Sequence, residues 1–233
     1  KRLAVTICED IWDMGNTPLY RVNPMEQLIL QSPDIMINLS ASPFDYTHRE
    51  DRKAIIKSNV LKYRLPIIYC NTVGSQTEVV FDGGSIVADN KSNIRLEMKA
   101  FLEDMQYVEL QDDGSFDLPI IEKADLLPRI PLDPESLEPA LNIDLVYEAL
   151  LLGIRDYFNK MGFSKAILGS SGGIDSAVAL VLACDALGAE NVQAVLMPSA
   201  FSSVHSVDDA KQLSENLGNP YQVVPIENIY QCF

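Results

Sequence analysis

Between a short apolar run, Ala166-Ile-Leu168, and a helical pattern from Ile174 to Leu187 lies a stretch made almost wholly of glycine and serine, Gly169-Ser-Ser-Gly-Gly-Ile-Asp-Ser176. A strand that turns through such small residues straight into a helix has few folds open to it. Glycines let the backbone approach a ligand closely, and the helix start turns its amides and partial positive charge toward that ligand. Gly188 closes the helix, Asn191 to Leu196 reads as a second strand, and Val207 to Leu217 as a second helix closed by Gly218. Tyr221 to Val224 reads as a third strand. This β-loop-α-β-α-β order predicts an α/β fold with a parallel, doubly wound sheet, its ligand at the carboxyl ends of the strands.

The loop points to an anionic guest, and a phosphate chain is the natural one. Asp175 stands where a carboxylate can hold a magnesium ion bridging phosphates. A Walker loop is excluded, because no Gly-Lys-Ser/Thr follows. Gly169-Ser-Ser-Gly-Gly173 also fits the G-x-S-x-G nucleophile elbow with Ser171 as nucleophile. That reading needs an Asp and then a His downstream, whereas His205, the one later histidine, precedes Asp208 and Asp209. A bare tight turn is the remaining alternative, and it leaves the clustered hydroxyls without a purpose.

The first half alternates short apolar runs with helical patterns. Leu3 to Cys8, Asp34 to Leu39 and Leu65 to Asn71 read as buried strands, and Glu50 to Tyr63 as a helix with Ile55, Ile56, Val60 and Leu61 at helical spacing. Val79-Val-Phe-Asp-Gly-Gly-Ser-Ile-Val87 predicts a hairpin around Asp-Gly-Gly, and Gln106 to Leu110 a last strand. Layers of strands and helices with some antiparallel pairing follow. Five of the 13 prolines fall between Leu118 and Pro139, which marks a linker. The expected division is residues 1–117, a linker at 118–142, and 143–233, with a helix from an Asp144 cap to Met161.

Lys and Arg number 18 against 33 Asp and Glu, a net charge of −15, which argues against broad binding to nucleic acid backbones. No apolar run reaches the ~18 residues of a membrane span. Cys8, Cys70, Cys184 and Cys232 form no CxxC pair, so neither a zinc site nor a disulfide framework is indicated, and a reducing compartment is. Cys184 and Cys70 read as packing residues. Cys8 differs: it ends an apolar strand and is followed at once by Glu9-Asp-Ile-Trp12. A cysteine at a strand end with polar neighbours can serve as a nucleophile, given a cation and a base nearby.

Ser171-Gly-Gly-Ile-Asp-Ser176 resembles the SGGxDS signature of the PP-loop ATP pyrophosphatases, which cleave ATP to AMP and pyrophosphate and cradle the pyrophosphate in this loop. Leu196-Met-Pro-Ser199, then Ser202-Ser203 and Asp208-Asp-Ala210, resemble the NAD synthetase branch, with the stretch after the strand packed around ATP. By this resemblance Gly169, Ser170, Ser171, Gly172, Gly173, Ile174, Asp175, Ser176, Leu196 and Ser199 hold ATP, and Asp175 magnesium. Cys8-Glu-Asp-Ile-Trp12, Asn38-Leu-Ser-Ala-Ser-Pro-Phe44 and Phe81-Asp-Gly-Gly-Ser85 are similar, in that order, to the nitrilase-like glutaminase domain of glutamine-dependent NAD synthetases. There the cysteine attacks the glutamine amide. Ser42 with a basic residue, His48 or Arg49, would hold the α-amino acid end, and Glu9 would lie beside the substrate.

The resemblance implies part of a nitrilase-like α-β-β-α sandwich, a linker, and the start of a doubly wound, adenine nucleotide α-hydrolase-like domain. It implies a cytoplasmic, homo-oligomeric ligase that uses ATP, magnesium and glutamine to amidate deamido-NAD, passing ammonia internally. The family's triad is Glu-Lys-Cys, with Glu and Lys upstream, and among the seven residues before Cys8 neither Lys1 nor any glutamate can fill those roles. Between Ala166 and Phe233, Lys211 is the one Lys or Arg against seven carboxylates. The chain therefore reads as a piece of a longer polypeptide, without glutaminase activity on its own, whose further segments supply cations to the pyrophosphate. Another PP-loop amidotransferase, or a nucleotide-binding module without turnover, are the competing readings.

Overall fold

A computed structural model describes residues 1–12, 21–123, 139–199, 202–227 and 231. It forms two compact units, Lys1–Ser75 with Val79–Ala149, and Gln76–Glu78 with Leu150–Phe233. Among the described residues no helix is long and apolar enough to cross a membrane.

The first unit is built on a five-stranded mixed sheet. Its strands are β1 (Leu3–Ile7), β2 (Ile35–Ser40), β3 (Ile67–Asn71), β6 (Ile86–Ala88) and β7 (Ile94–Glu97), in spatial order β1-β2-β3-β6-β7. β1, β2 and β3 are parallel; β6 and β7 join antiparallel. One face packs Ala4, Met36, Ile67, Tyr69 and Ile86 against Met25 of α1 (Pro24–Leu28) and Ile56 and Val60 of α2 (His48–Tyr63). Those side chains alternate along the strands and recur at helical spacing on α2, so one apolar surface closes over another. On the opposite face Leu3, Val5, Ile7 and Leu39 remain exposed.

Two expectations fail here. The Asp82-Gly83-Gly84 turn does not close a hairpin. β5 (Val79–Asp82) pairs instead with β4 (Val73–Gln76), while β6 crosses to β3 and β7. Both glycines are left-handed, at φ +66° and +63°, and the Gly83 amide donates to Thr72 O at 2.9 Å. The glycines thus carry the chain from one sheet to another. Gln106 to Leu110 is not a strand: only its end is paired, through the Leu110–Phe116 bridge and Glu109 O, which accepts from Asp117 N at 3.3 Å, and Tyr107 is 86% exposed. Alternation without a neighbouring strand leaves ladder groups unpaired.

Leu118 O accepts from Arg95 Nη1, and Glu122 bridges Ile94, so the start of the proline-rich stretch lies against the first unit. Residues 124–138 of the expected linker lie outside the described residues. α3 (Pro139–Met161) begins before the expected Asp144 cap, with a proline in the first turn, where its missing N–H costs nothing.

The second unit follows the expected rhythm: β8 (Ala166–Gly169), α4 (Ile174–Leu187), β9 (Val192–Leu196), α5 (Val204–Leu217) and β10 (Tyr221–Val223). The sheet is parallel throughout, in order β10-β9-β8. No reversal of strand order falls within these strands. Leu180, Cys184, Val192, Ala194, Leu196 and Ala210 form the core between sheet and helices. α5 starts earlier than its apolar spacing indicates because Ser203 caps it, accepting from Ser206 N at 3.1 Å.

Candidate functional site

The Gly169–Ser176 loop leaves the carboxyl end of β8 and enters α4. Gly172 has φ +82°, and a Cβ there would lie 2.0 Å from Ser206 O, so glycine is required on both counts. Ser176 Oγ ties the loop together, accepting from Ser171 N at 3.2 Å, meeting Ser171 Oγ at 3.0 Å and donating to Gly173 O at 2.9 Å. Gly173 N donates to Ser171 Oγ. The first-turn amides of α4, at Ile174, Asp175 and Ser176, have no intrahelical acceptor and meet an incoming anion. Among the described residues Ser171 bonds no histidine, and the nucleophile-elbow reading has no base to offer.

A cavity of about 190 Å³ opens beside the loop, lined by Gly169, Ser170, Ser171, Leu196, Met197, Pro198, Ser202, Ser206 and Val207. Ligand pockets start near ~300 Å³, so this space suits part of a ligand such as a phosphate chain. The hydroxyl of Ser170 is buried against it with no hydrogen-bond partner among the described residues. Ser199 does not itself line the cavity; its amide donates to Ser202 Oγ, which does, at 3.1 Å. Asp175 is exposed at the start of α4, and no group of three or more His, Cys, Asp or Glu is placed to hold a metal among the described residues. Magnesium often rests on one or two carboxylates plus phosphate oxygens, and Asp175 fits that habit. Lys211 lies on α5, 3.7 Å from Asp208, as a surface pair.

In the first unit Cys8 follows β1 with φ +48°, a left-handed backbone that a non-glycine residue rarely adopts. It opens a 3-10 turn, Cys8–Ile11, and is partly buried. Glu9 sits inside this turn, not on a strand, so strand alternation does not direct its side chain away from Cys8. Ile7 N donates to Asp10 Oδ2 at 2.8 Å, and Asn59 Nδ2 to Ile11 O at 2.7 Å. Cys70, expected in the core, is exposed on β3; Cys184 is buried as expected.

Ser42 is buried, and its amide donates to Asn71 Oδ1 at 3.0 Å. Asn71 Nδ2 in turn donates to Gly83 O at 2.8 Å, so the Asn38–Phe44 and Phe81–Ser85 stretches meet. His48 faces Pro43 O and the ring of Trp12, 6.1 Å between centroids. Arg49 is committed to Glu97 at 2.6 Å. Arg52 is buried and paired with Asp82 at 2.6 Å. Burial pushes the Tyr69 hydroxyl above its ordinary pKa, against the opposing pull of the Ser40 and Ser42 hydroxyls and Arg52. Asn71, Arg52 and Ser206 escaped the sequence reading. Asn71 at least had a signal, a polar residue ending an apolar strand.

Residues 146–233 match the NAD synthase family. The matched segment contains the glycine–serine loop and its cavity, while the Cys8 turn lies ahead of it in the sequence. The whole chain is similar to the glutamine-dependent NAD(+) synthetase of Synechocystis sp., at 39% identity over 237 residues, covering 100% of this chain and 40% of that protein. It is similar to the enzyme of the same name from Thermotoga maritima at 35% identity, covering 100% of this chain and 42% of that one. The solved glutamine-dependent NAD+ synthetase of Acinetobacter baumannii, in complex with ADP, superimposes with a TM-score of 0.82 at 33% identity, covering 99% of this chain and 40% of that chain. The chain thus spans about 40% of the length of the curated relatives it resembles.

Proposed function

We propose that this chain is part of a glutamine-hydrolysing ligase that amidates deamido-NAD to NAD, with AMP and pyrophosphate as further products. The observation that carries this reading is the loop itself. Two left-handed or extended glycines, a serine lock and a helix start surround a small cavity at the carboxyl end of β8. The likeness to named synthetases along the whole chain supports it.

In this reading the β- and γ-phosphates of ATP rest on the amides of Gly172, Ile174 and Asp175 and on the Ser170 hydroxyl, while Ser171, Gly173 and Ser176 hold the loop in shape and Leu196 and Ser199 lie along the nucleotide. The nicotinate carboxylate of deamido-NAD attacks the α-phosphorus, pyrophosphate leaves into the loop, and ammonia then displaces AMP from the acyl carbon. Asp175 is the residue that would hold magnesium, whose charge when bound neutralises the departing diphosphate. Cys8 Sγ attacks the carboxamide carbon of glutamine, ammonia leaves, and water hydrolyses the thioester to glutamate. Ser42, with His48 or Arg49, positions the amino acid end, and Glu9 lies beside it. Arg49 would first release Glu97, whereas His48 already stands beside Trp12, at the end of the Cys8 turn.

The fold reading is residues 1–117 as the later part of a nitrilase-like α-β-β-α sandwich, 118–142 as linker, and 143–233 as the start of a doubly wound synthetase domain. The apolar face bearing Leu3, Val5, Ile7 and Leu39 suits a second sheet stacked on the first. Free cysteines suit a reducing, cytoplasmic setting. Full-length protein mixed with ATP, magnesium, glutamine and deamido-NAD is expected to form NAD and AMP. Absence of both would reject the proposal.

A further inference from the structure

We infer that Asn38 is a positioning residue for Cys8: its side-chain amide holds the Cys8 carbonyl and thereby keeps the cysteine backbone left-handed, which fixes where the thiol points. This rests on the reading of Cys8 as the glutamine nucleophile.

Asn38 lies on β2, fully buried, in register with Thr6 of β1. Its Nδ2 donates to Cys8 O at 3.2 Å and to Thr6 Oγ1 at 3.0 Å. Thr6 Oγ1 spends its own proton on Ile37 O, at 3.3 Å, and a carbonyl can only accept. Both groups on that side of Asn38 are therefore acceptors, so the amide's NH2 must face them. Ser40 Oγ completes the arrangement by donating to Asn38 Oδ1 at 2.8 Å. Both amide hydrogens and one oxygen lone pair are engaged, which locks the orientation inside a dry part of the unit.

The direction of the Cys8 carbonyl depends on the φ and ψ of Cys8 itself. At φ +48° the residue sits in a region that is costly for anything but glycine, and such strain persists only where surrounding contacts over-determine it. Asn38 supplies one restraint at Cys8, Asp10 a second through Ile7 N, and Asn59 holds the far end of the turn at Ile11 O. The two asparagines do different work. Asn59 anchors the turn to α2, while Asn38 acts on the reactive residue's own peptide.

A bland alternative is that Asn38 merely satisfies a buried carbonyl. That role would lower stability without changing thiol chemistry. The test uses full-length protein carrying Asn38→Ala, with Ser40→Ala as a milder second variant that frees the amide but leaves it in place. The readouts are glutamine-driven kcat and KM, the ammonia-driven reaction in the same preparation, and the rate at which iodoacetamide alkylates Cys8, followed on the Cys8 peptide by mass. For Asn38→Ala a fall in glutamine-driven kcat of about 100-fold is expected, with KM within about threefold. Ammonia-driven turnover should stay within about twofold and alkylation slow by about tenfold; Ser40→Ala should follow in the same direction by about threefold. If both variants keep kcat and alkylation within twofold, or lose the glutamine- and ammonia-driven reactions in equal proportion, the inference is overturned. A parent protein that hydrolyses no glutamine would instead overturn the function proposed for Cys8, and the alkylation rates would still decide the role of Asn38.

Discussion

Gly172 and the Ser206 carbonyl are packed so closely that a Cβ on the glycine would stand 2.0 Å from that oxygen. The glycine–serine loop is thereby seated on the first turn of α5, and its shape is fixed before any ligand arrives. Gly172→Ala has to relieve both this clash and a φ of +82°. The left-handed backbone alone costs roughly 1–2 kcal/mol, so nucleotide affinity of the full-length protein should fall at least about tenfold. Calorimetric titration with ATP and magnesium checks this; unchanged affinity would mean the loop is not the phosphate seat.

Cys8 and the loop belong to separate units, so their chemistries should separate by mutation. Cys8→Ala is expected to reduce glutamine-driven NAD formation to about 1% or less, since it removes the thiol proposed to attack the amide. NAD formation from added ammonia should continue near the parent rate. Assaying both nitrogen sources side by side provides the check, and equal loss with both sources would count against an ammonia-supplying role for Cys8.

Arg52 and Asp82 form an ion pair with side chains 2% and 7% exposed. Asp82→Ala strands the guanidinium in the interior, where an unpaired charge costs about 3–5 kcal/mol. Arg52→Met combined with Asp82→Leu removes both charges and should recover most of that loss. Urea unfolding of the single and double variants measures the coupling. Additive losses would show that the pair does not act as a unit.

Much of this was readable in the residues because it depends on local pattern. The period of strands and helices after Ala166, the glycine stops at Gly188 and Gly218, and the loop between β8 and α4 all follow from nearest neighbours in sequence. What was not readable depends on distant partners. Asp82-Gly83-Gly84 has hairpin chemistry, yet β5 found β4 and β6 found β3. Gln106 to Leu110 alternates like a strand, but only its last two residues find a partner, in Phe116 and Asp117. Arg52 looks like a solvated helix residue until Asp82 arrives from elsewhere in the chain. The left-handed backbone of Cys8 depends on Asn38, which reaches it across the sheet.

Asp89 is buried, and burial alone would raise its pKa. Hydrogen bonds from the Asn93 side chain and amide, Arg95 and the Lys91 amide outweigh this and hold it below the ordinary aspartate value. Because the folded pKa lies below the unfolded one, its stabilisation is complete above about pH 4 and is lost as pH falls through the folded value. Asp89→Asn should cost about 2 kcal/mol at neutral pH, the worth of hydrogen bonds to a charged group, with the gap to the parent closing below about pH 4. Urea midpoints at pH 7 and pH 3 test this; an equal gap at both would show that the carboxylate charge is not what matters.

The seat of the diphosphate is the point on which the account turns. A crystal structure of the full-length protein with magnesium and a non-hydrolysable ATP analogue locates it directly. The β- and γ-phosphate oxygens are expected within hydrogen-bonding distance of the amides of Gly172, Ile174 and Asp175, with Ser170 Oγ turned toward them. Phosphates bound elsewhere, with this loop unliganded, would contradict the account.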